Sequence, residues 1–154
     1  ALLHAPHMLL LDEPTTGLDP QVRHAIWRAL RQLKQQGMTI LLTTHYMEEA
    51  AQLADRVAIL HRGSILALNS PKVLIREHLP PYVLEFGAIG QPAGWREMAR
   101  HVQLDQHGDR VYAFAHDEGL LRDLLASRGL HHAQLRHASL EDVFLKLTGH
   151  HLDE

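Results

Sequence analysis

Two adjacent carboxylates, Asp12 and Glu13, close the apolar run "MLLL" and lead into "PTTGLDP", a turn that carries a third acid, Asp19. A second apolar run, "MTILLTT", ends on His45. Carboxylates offer hard oxygens to a divalent cation and can accept a proton from water. An imidazole exchanges protons near neutral pH and can donate to an anion. Two acids and an imidazole brought to one place could therefore work on a charged, oxygen-rich ligand.

The elements that position them follow from the pattern around them. Met8 to Leu11 is a continuous apolar run, expected of a strand buried on both faces of a parallel sheet. Asp19 can N-cap the next helix with Pro20 at its first position, where the missing N–H costs nothing. Val22, Ile26, Leu30 and Leu33 give that helix one apolar face, and Gly37 supplies a left-handed C-cap. "MTILLTTH" is then a second buried strand. Strand, helix and strand make a parallel crossover unit, and ligands of open parallel sheets bind at the carboxyl ends of the strands. Asp12, Glu13 and His45 all fall at that rim.

Farther along, "YMEEAAQLAD" reads as a short helix with Glu48 and Glu49 on a solvated face. "RVAILHRGSILALN" is a hairpin turning at "HRGS", and Ser70 with Pro71 starts a helix that fades near His78. Pro80 and Pro81 stop helical structure and mark a boundary. The expected division is residues 1–79, an α/β parallel-sheet portion, and residues 80–154, a small α+β domain.

The second part orders its elements differently: strand "YVLEF", helix "GWREMAR", hairpin "HVQLDQHGDRVYAFA" turning near Gly108, then helix "DEGLLRDLLASRG". A strand, "LHHAQLRHA", and a final helix, "SLEDVFLKLTG", complete it. The order βαββαβ with a trailing helix predicts a ferredoxin-like fold. The leucines at 120, 121, 124 and 125 and the stripe Val143, Phe144, Leu147 are packing faces.

"LLLDEPTTGLDP" followed by "LLTTHYMEEAAQLADRVAIL" resembles the ABC ATPases, and within them the ATP-binding subunits of bacterial drug and lipo-oligosaccharide exporters. "ASLEDVFLKLTG" resembles the tail of the same subunits. The resemblance implies a fold, the C-terminal part of a P-loop NTPase core, and a role for each residue. Asp12 is the Walker B acid that holds Mg²⁺, through a water, and Glu13 orients or deprotonates the water attacking ATP. Thr16, Gly17, Leu18 and Asp19 form the D-loop at a dimer interface, although Asp19 also reads as a plain N-cap. His45 hydrogen-bonds the γ-phosphate, although a lone histidine also reads as a satisfied core residue.

The implied cofactors are ATP and Mg²⁺. The implied partners are a second ATPase subunit, as a homodimer in the full-length form, and a polytopic membrane permease, with no nucleic acid. The implied place is the cytoplasmic face of the bacterial inner membrane, held peripherally. A soluble ABC ATPase acting on ribosomes or DNA, and a binding or regulatory module dominated by the second domain, are the competing readings.

Composition fits this frame: 154 residues, 45% hydrophobic, 21% charged, and a formal net charge of −3, which gives no electrostatic footprint for nucleic acid. The absence of cysteine excludes disulfides and thiolate metal sites. The fourteen histidines show no His-Glu-x-x-His spacing, and no apolar run reaches the roughly 20 residues that span a bilayer.

The chain opens inside what reads as the last turn of a helix and is expected to be a fragment. Its 154 residues contain no G-x-x-x-x-G-K-[ST] loop and no adjacent glycines, so it lacks a backbone cradle for phosphates. Calorimetry on the isolated chain is expected to show no tight Mg-ATP binding and no ATP turnover. A saturable, tight isotherm contradicts that expectation.

Overall fold

The computed structural model describes residues 6–87, 102–128, 130 and 132–149. The chain forms two compact units, Ala1–Asp55 and Arg56–Glu154.

In the first unit, β1 (Met8–Asp12) and β2 (Thr39–Thr43) pair in parallel, in register from Met8 with Thr39 to Asp12 with Thr43. Parallel neighbours require a crossover, and α1 (Pro20–Gln35) provides it. Asp19 caps α1 by accepting the Val22 N–H at 3.0 Å, with Pro20 at the helix start. The helix closes in a Schellman arrangement: the Gly37 N–H reaches Lys34 O at 3.0 Å and the Met38 N–H reaches Leu33 O at 3.1 Å. Gly37 sits at φ +91°, where a side chain is disfavoured. α2 (Met47–Leu53) follows β2, and Lys34 ties the ends of the two helices by donating to Leu53 O at 2.9 Å and to Asp55 at 2.7 Å.

Trp27, Leu30 and Leu53 form the buried centre of this unit, with Leu9, Leu11, Ile40 and Leu42 packed against it. The alternate strand residues face the other way, and Leu10 and Leu41 are 67% and 58% exposed. This corrects the expectation of strands buried on both faces. Among the described residues, the helices of this unit pack on one face of the pair, and an apolar run does not itself supply a second layer.

In the second unit, β3 (Val57–His61) and β4 (Ser64–Asn69) form a hairpin. Arg62 and Gly63 both take positive φ, +48° and +78°, the geometry of a two-residue turn that matches strand twist. α3 (Pro71–His78) comes next. Four strands, β5 (Tyr82–Gly87), β6 (Gln103–His107), β7 (Arg110–Ala115) and β8 (Gln134–His137), then make one antiparallel sheet in the order β6-β7-β5-β8. α4 (Glu118–Arg128) connects β7 to β8. The helix expected at Gly94–Arg100 and the stop at Gly129 lie outside the described residues. Leu84, Phe86, Val111, Ala113 and Leu121 form the core on one face of the sheet.

α5 (Leu140–Thr148) opens with a capping box between Ser139 and Asp142, ends at a left-handed Gly149, and packs against α3. Its anchor is electrostatic. Arg136 of β8 meets both oxygens of Asp142, at 2.7 and 2.8 Å, and also Glu85, at 3.2 Å. Arg110 reaches the other Glu85 oxygen at 3.2 Å. The hydrogen bonds that Arg136 donates to Asp142 raise its pKa above the usual value despite partial burial. Beside this network, burial and then the Glu85 charge raise the Tyr112 phenol.

The Asp142 side chain is only 1% exposed, so removing its cation leaves a buried charge without its main partner. Arg136→Leu is expected to lower stability by about 3 kcal/mol, read as a shifted urea midpoint of the whole chain. A change of less than about 0.5 kcal/mol, the range of ordinary surface substitutions, contradicts the anchoring role.

Candidate functional site

The parallel register sets Asp12 beside Thr43, so the segments that continue from these two positions leave the same end of the sheet. The Thr43 hydroxyl donates to the Asp12 carboxylate. The Glu13 N–H points back to β2, meeting Thr43 O at 3.1 Å and its hydroxyl oxygen at 3.3 Å. Thr43 thus holds both acids at one strand end. Glu13 itself takes φ +46°, a conformation that costs a non-glycine residue on the order of 1 kcal/mol and is often kept for function.

Glu13 and His45 meet directly: Glu13 Oε2 lies 2.7 Å from His45 Nδ1, and each side chain is a little over one-third exposed. An ionised carboxylate only accepts, so Nδ1 carries the shared hydrogen and Nε2 remains the ring atom open to a ligand. Thr16 donates its hydroxyl to the same Glu13 oxygen at 2.9 Å. The structure therefore brings together Asp12, Glu13, Thr16 and His45.

The rest of the predicted loop shapes the turn. Gly17 has φ +75°, and the Leu18 N–H closes on Thr15 O at 3.3 Å. Arg23 reaches Leu18 O at 3.5 Å while its guanidinium lies 4.4 Å from the centre of the Tyr46 ring, so the turn is braced against the residue after His45. Asp19 acts on its own helix as the N-cap.

One residue was misread from sequence. Glu48 is exposed as expected, but Glu49 is fully buried. Its Oε1 accepts from the Thr15 hydroxyl at 2.9 Å and from the Trp27 indole at 2.8 Å. The missed signal is spacing: Glu49 falls on the helical face of Ala50 and Leu53, both buried. Among the described residues, no three His, Asp or Glu side chains gather as a metal site, and no helix is long and apolar enough to cross a membrane.

Known proteins match this chain along its length. Residues 91–149 match the family described as "Nodulation factor export protein NodI, C-terminal domain", and residues 1–49 match "AAA domain, putative AbiEii toxin, Type IV TA system". A "Nod factor export ATP-binding protein I" from Mesorhizobium japonicum is 43% identical over 100% of this chain and 46% of its own length. One from Rhizobium sp. (strain N33) is 44% identical over 100% of this chain and 51% of its own length. The chain thus spans about half the length of these relatives. A solved structure described as "Structure of ATP binding subunit of ABC transporter" is 34% identical, with a TM-score of 0.44, covering 47% of this chain and 30% of that one.

The cap geometry yields a direct test. Asp19→Ala is expected to cost about 1 kcal/mol, and Asp19→Ser much less, because serine keeps the acceptor for the Val22 N–H. Equal urea midpoints for Asp19→Ala and the unmodified chain contradict this.

Proposed function

We propose that this chain is part of a member of the family of Nod factor export ATP-binding proteins and supplies half of an ATP-hydrolysing site in an ABC-type export subunit, a reading supported by 43% identity along this chain to one such protein. The observation that carries the reading is the 2.7 Å approach of Glu13 to His45 on the rim that also holds Asp12.

The donor chemistry fits Mg-ATP. Asp12 offers an exposed, hard carboxylate steadied by Thr43, and Mg²⁺ is commonly held by one or two such groups together with water and phosphate. When bound there, the ion would supply charge neutralisation at the phosphates. Glu13 takes a proton from water or orients it, and phosphoryl transfer depends chiefly on such positioning. His45 hands a hydrogen to the terminal phosphate through Nε2. With Nδ1 donating to Glu13, that donation requires a hydrogen on each ring nitrogen. Thr16 limits the freedom of the Glu13 side chain. Thr16, Gly17, Leu18 and Asp19 present a turn to a second subunit.

Residues 1–79 form the C-terminal portion of a P-loop NTPase core in this reading, and residues 80–154 an accessory ferredoxin-like domain. The antiparallel order β8-β5-β7-β6 with α4 between β7 and β8 supports the latter. The working assembly is a homodimer that sandwiches ATP and acts on a polytopic membrane permease, peripheral to the cytoplasmic face of the inner membrane. The export function named for the Mesorhizobium japonicum relative supports this over a ribosome- or DNA-directed ATPase, as does a formal net charge of −3.

The test joins this chain to the first half of the Mesorhizobium japonicum relative and measures ATP turnover. Glu13→Gln is expected to lower turnover by about 10²- to 10⁴-fold, the usual contribution of a positioned base, while ATP stays bound. Turnover unchanged by Glu13→Gln contradicts the proposal.

A further inference from the structure

Beneath the rim lies a carboxylate that the proposed reaction does not use. Glu49 and Thr15 are both 0% exposed. Glu49 Oε1 accepts from Thr15 at 2.9 Å and from Trp27 at 2.8 Å, while its Oε2 is buried with no hydrogen-bond partner among the described residues. Burying an acid in this way is costly, and an apolar side chain of similar size would fill the space without that cost. Burial makes the acid costly at this position, so its directional bonds are the part to explain.

Those bonds join three pieces of chain. Thr15 lies two residues beyond Glu13, in the turn that carries Thr16, Gly17 and Leu18. Glu49 lies four residues beyond His45, on α2. Trp27 lies on α1 and is itself 2% exposed. A single oxygen therefore fixes the segment bearing the acid to the segment bearing the imidazole, and fixes both to the crossover helix.

We propose that Glu49 is a positioning residue: it clamps the turn after Glu13 to the start of α2 and so sets the approach of Glu13 to His45. The proposal rests on the reading of Glu13 and His45 as the working pair. It predicts that the contact on the rim depends on a bond made below it, at side chains that a nucleotide does not touch.

Nuclear magnetic resonance of the labelled 154-residue chain tests it by a double-substitution comparison. Glu13→Gln is expected to shift the His45 ring resonances in the unmodified chain. In Glu49→Leu, and in Thr15→Val, which removes a single hydroxyl and spares the fold, the same substitution is expected to produce less than half that shift. Glu49→Gln keeps the acceptor and is expected to restore the full response, with the Trp27 indole resonance returning to its original position. A full response in Thr15→Val and Glu49→Leu overturns the positioning role and leaves the ATP-site reading standing. No response in the unmodified chain removes the pair itself, and both readings fall together.

Discussion

The parallel pairing of β1 with β2 is the constraint on which the rest of the first unit depends. With Asp12 in register with Thr43, whatever follows each strand must leave from one rim. The two acids and the imidazole lie far apart in sequence, and this register brings Glu13 and His45 into hydrogen-bond contact. An antiparallel pairing would have carried His45 to the opposite edge. The crossover helix is thus as much part of the site as the side chains, and its cap at Asp19 and Schellman closure at Gly37 fix its length.

Around that rim the structure spends polar groups on alignment. Thr43 serves both acids, Thr16 holds the Glu13 carboxylate, and Arg23 spans from Leu18 to Tyr46. Glu49 adds a fourth tie, from within the core. In the proposed ATP site, hydrolysis of a phosphoanhydride would ask for placement more than for covalent help, and these contacts would supply it. The second unit uses polar groups to a different end. There Arg136, Asp142 and Glu85 lock α5 onto β8 and β5.

Much of this was legible in the residues. Asp12, Glu13 and His45 could be placed because apolar runs ended on them, and Asp19 because proline followed it at a helix start. The hairpin turn at Arg62 and Gly63 and the Ser139–Asp142 cap likewise carry local signatures that need no tertiary context. What was not legible needed knowledge of the third dimension. "MLLL" and "ILL" do not say that Leu10 and Leu41 stand 67% and 58% exposed, because an apolar run reveals nothing about what lies opposite. Glu49 was hidden by its charge: adjacent glutamates read as a solvated face, and only the helical period separates the exposed Glu48 from its buried neighbour. Arg136 gave no signal, since its partners Glu85 and Asp142 come from two other elements.

The most direct test of the shared rim uses Mn²⁺ in place of Mg²⁺, with ATP, on the chain joined to a relative's first half. Paramagnetic broadening should fall together on Asp12, Glu13 and His45. Broadening that strikes Asp12 while sparing His45 would contradict a single nucleotide site built from these three residues.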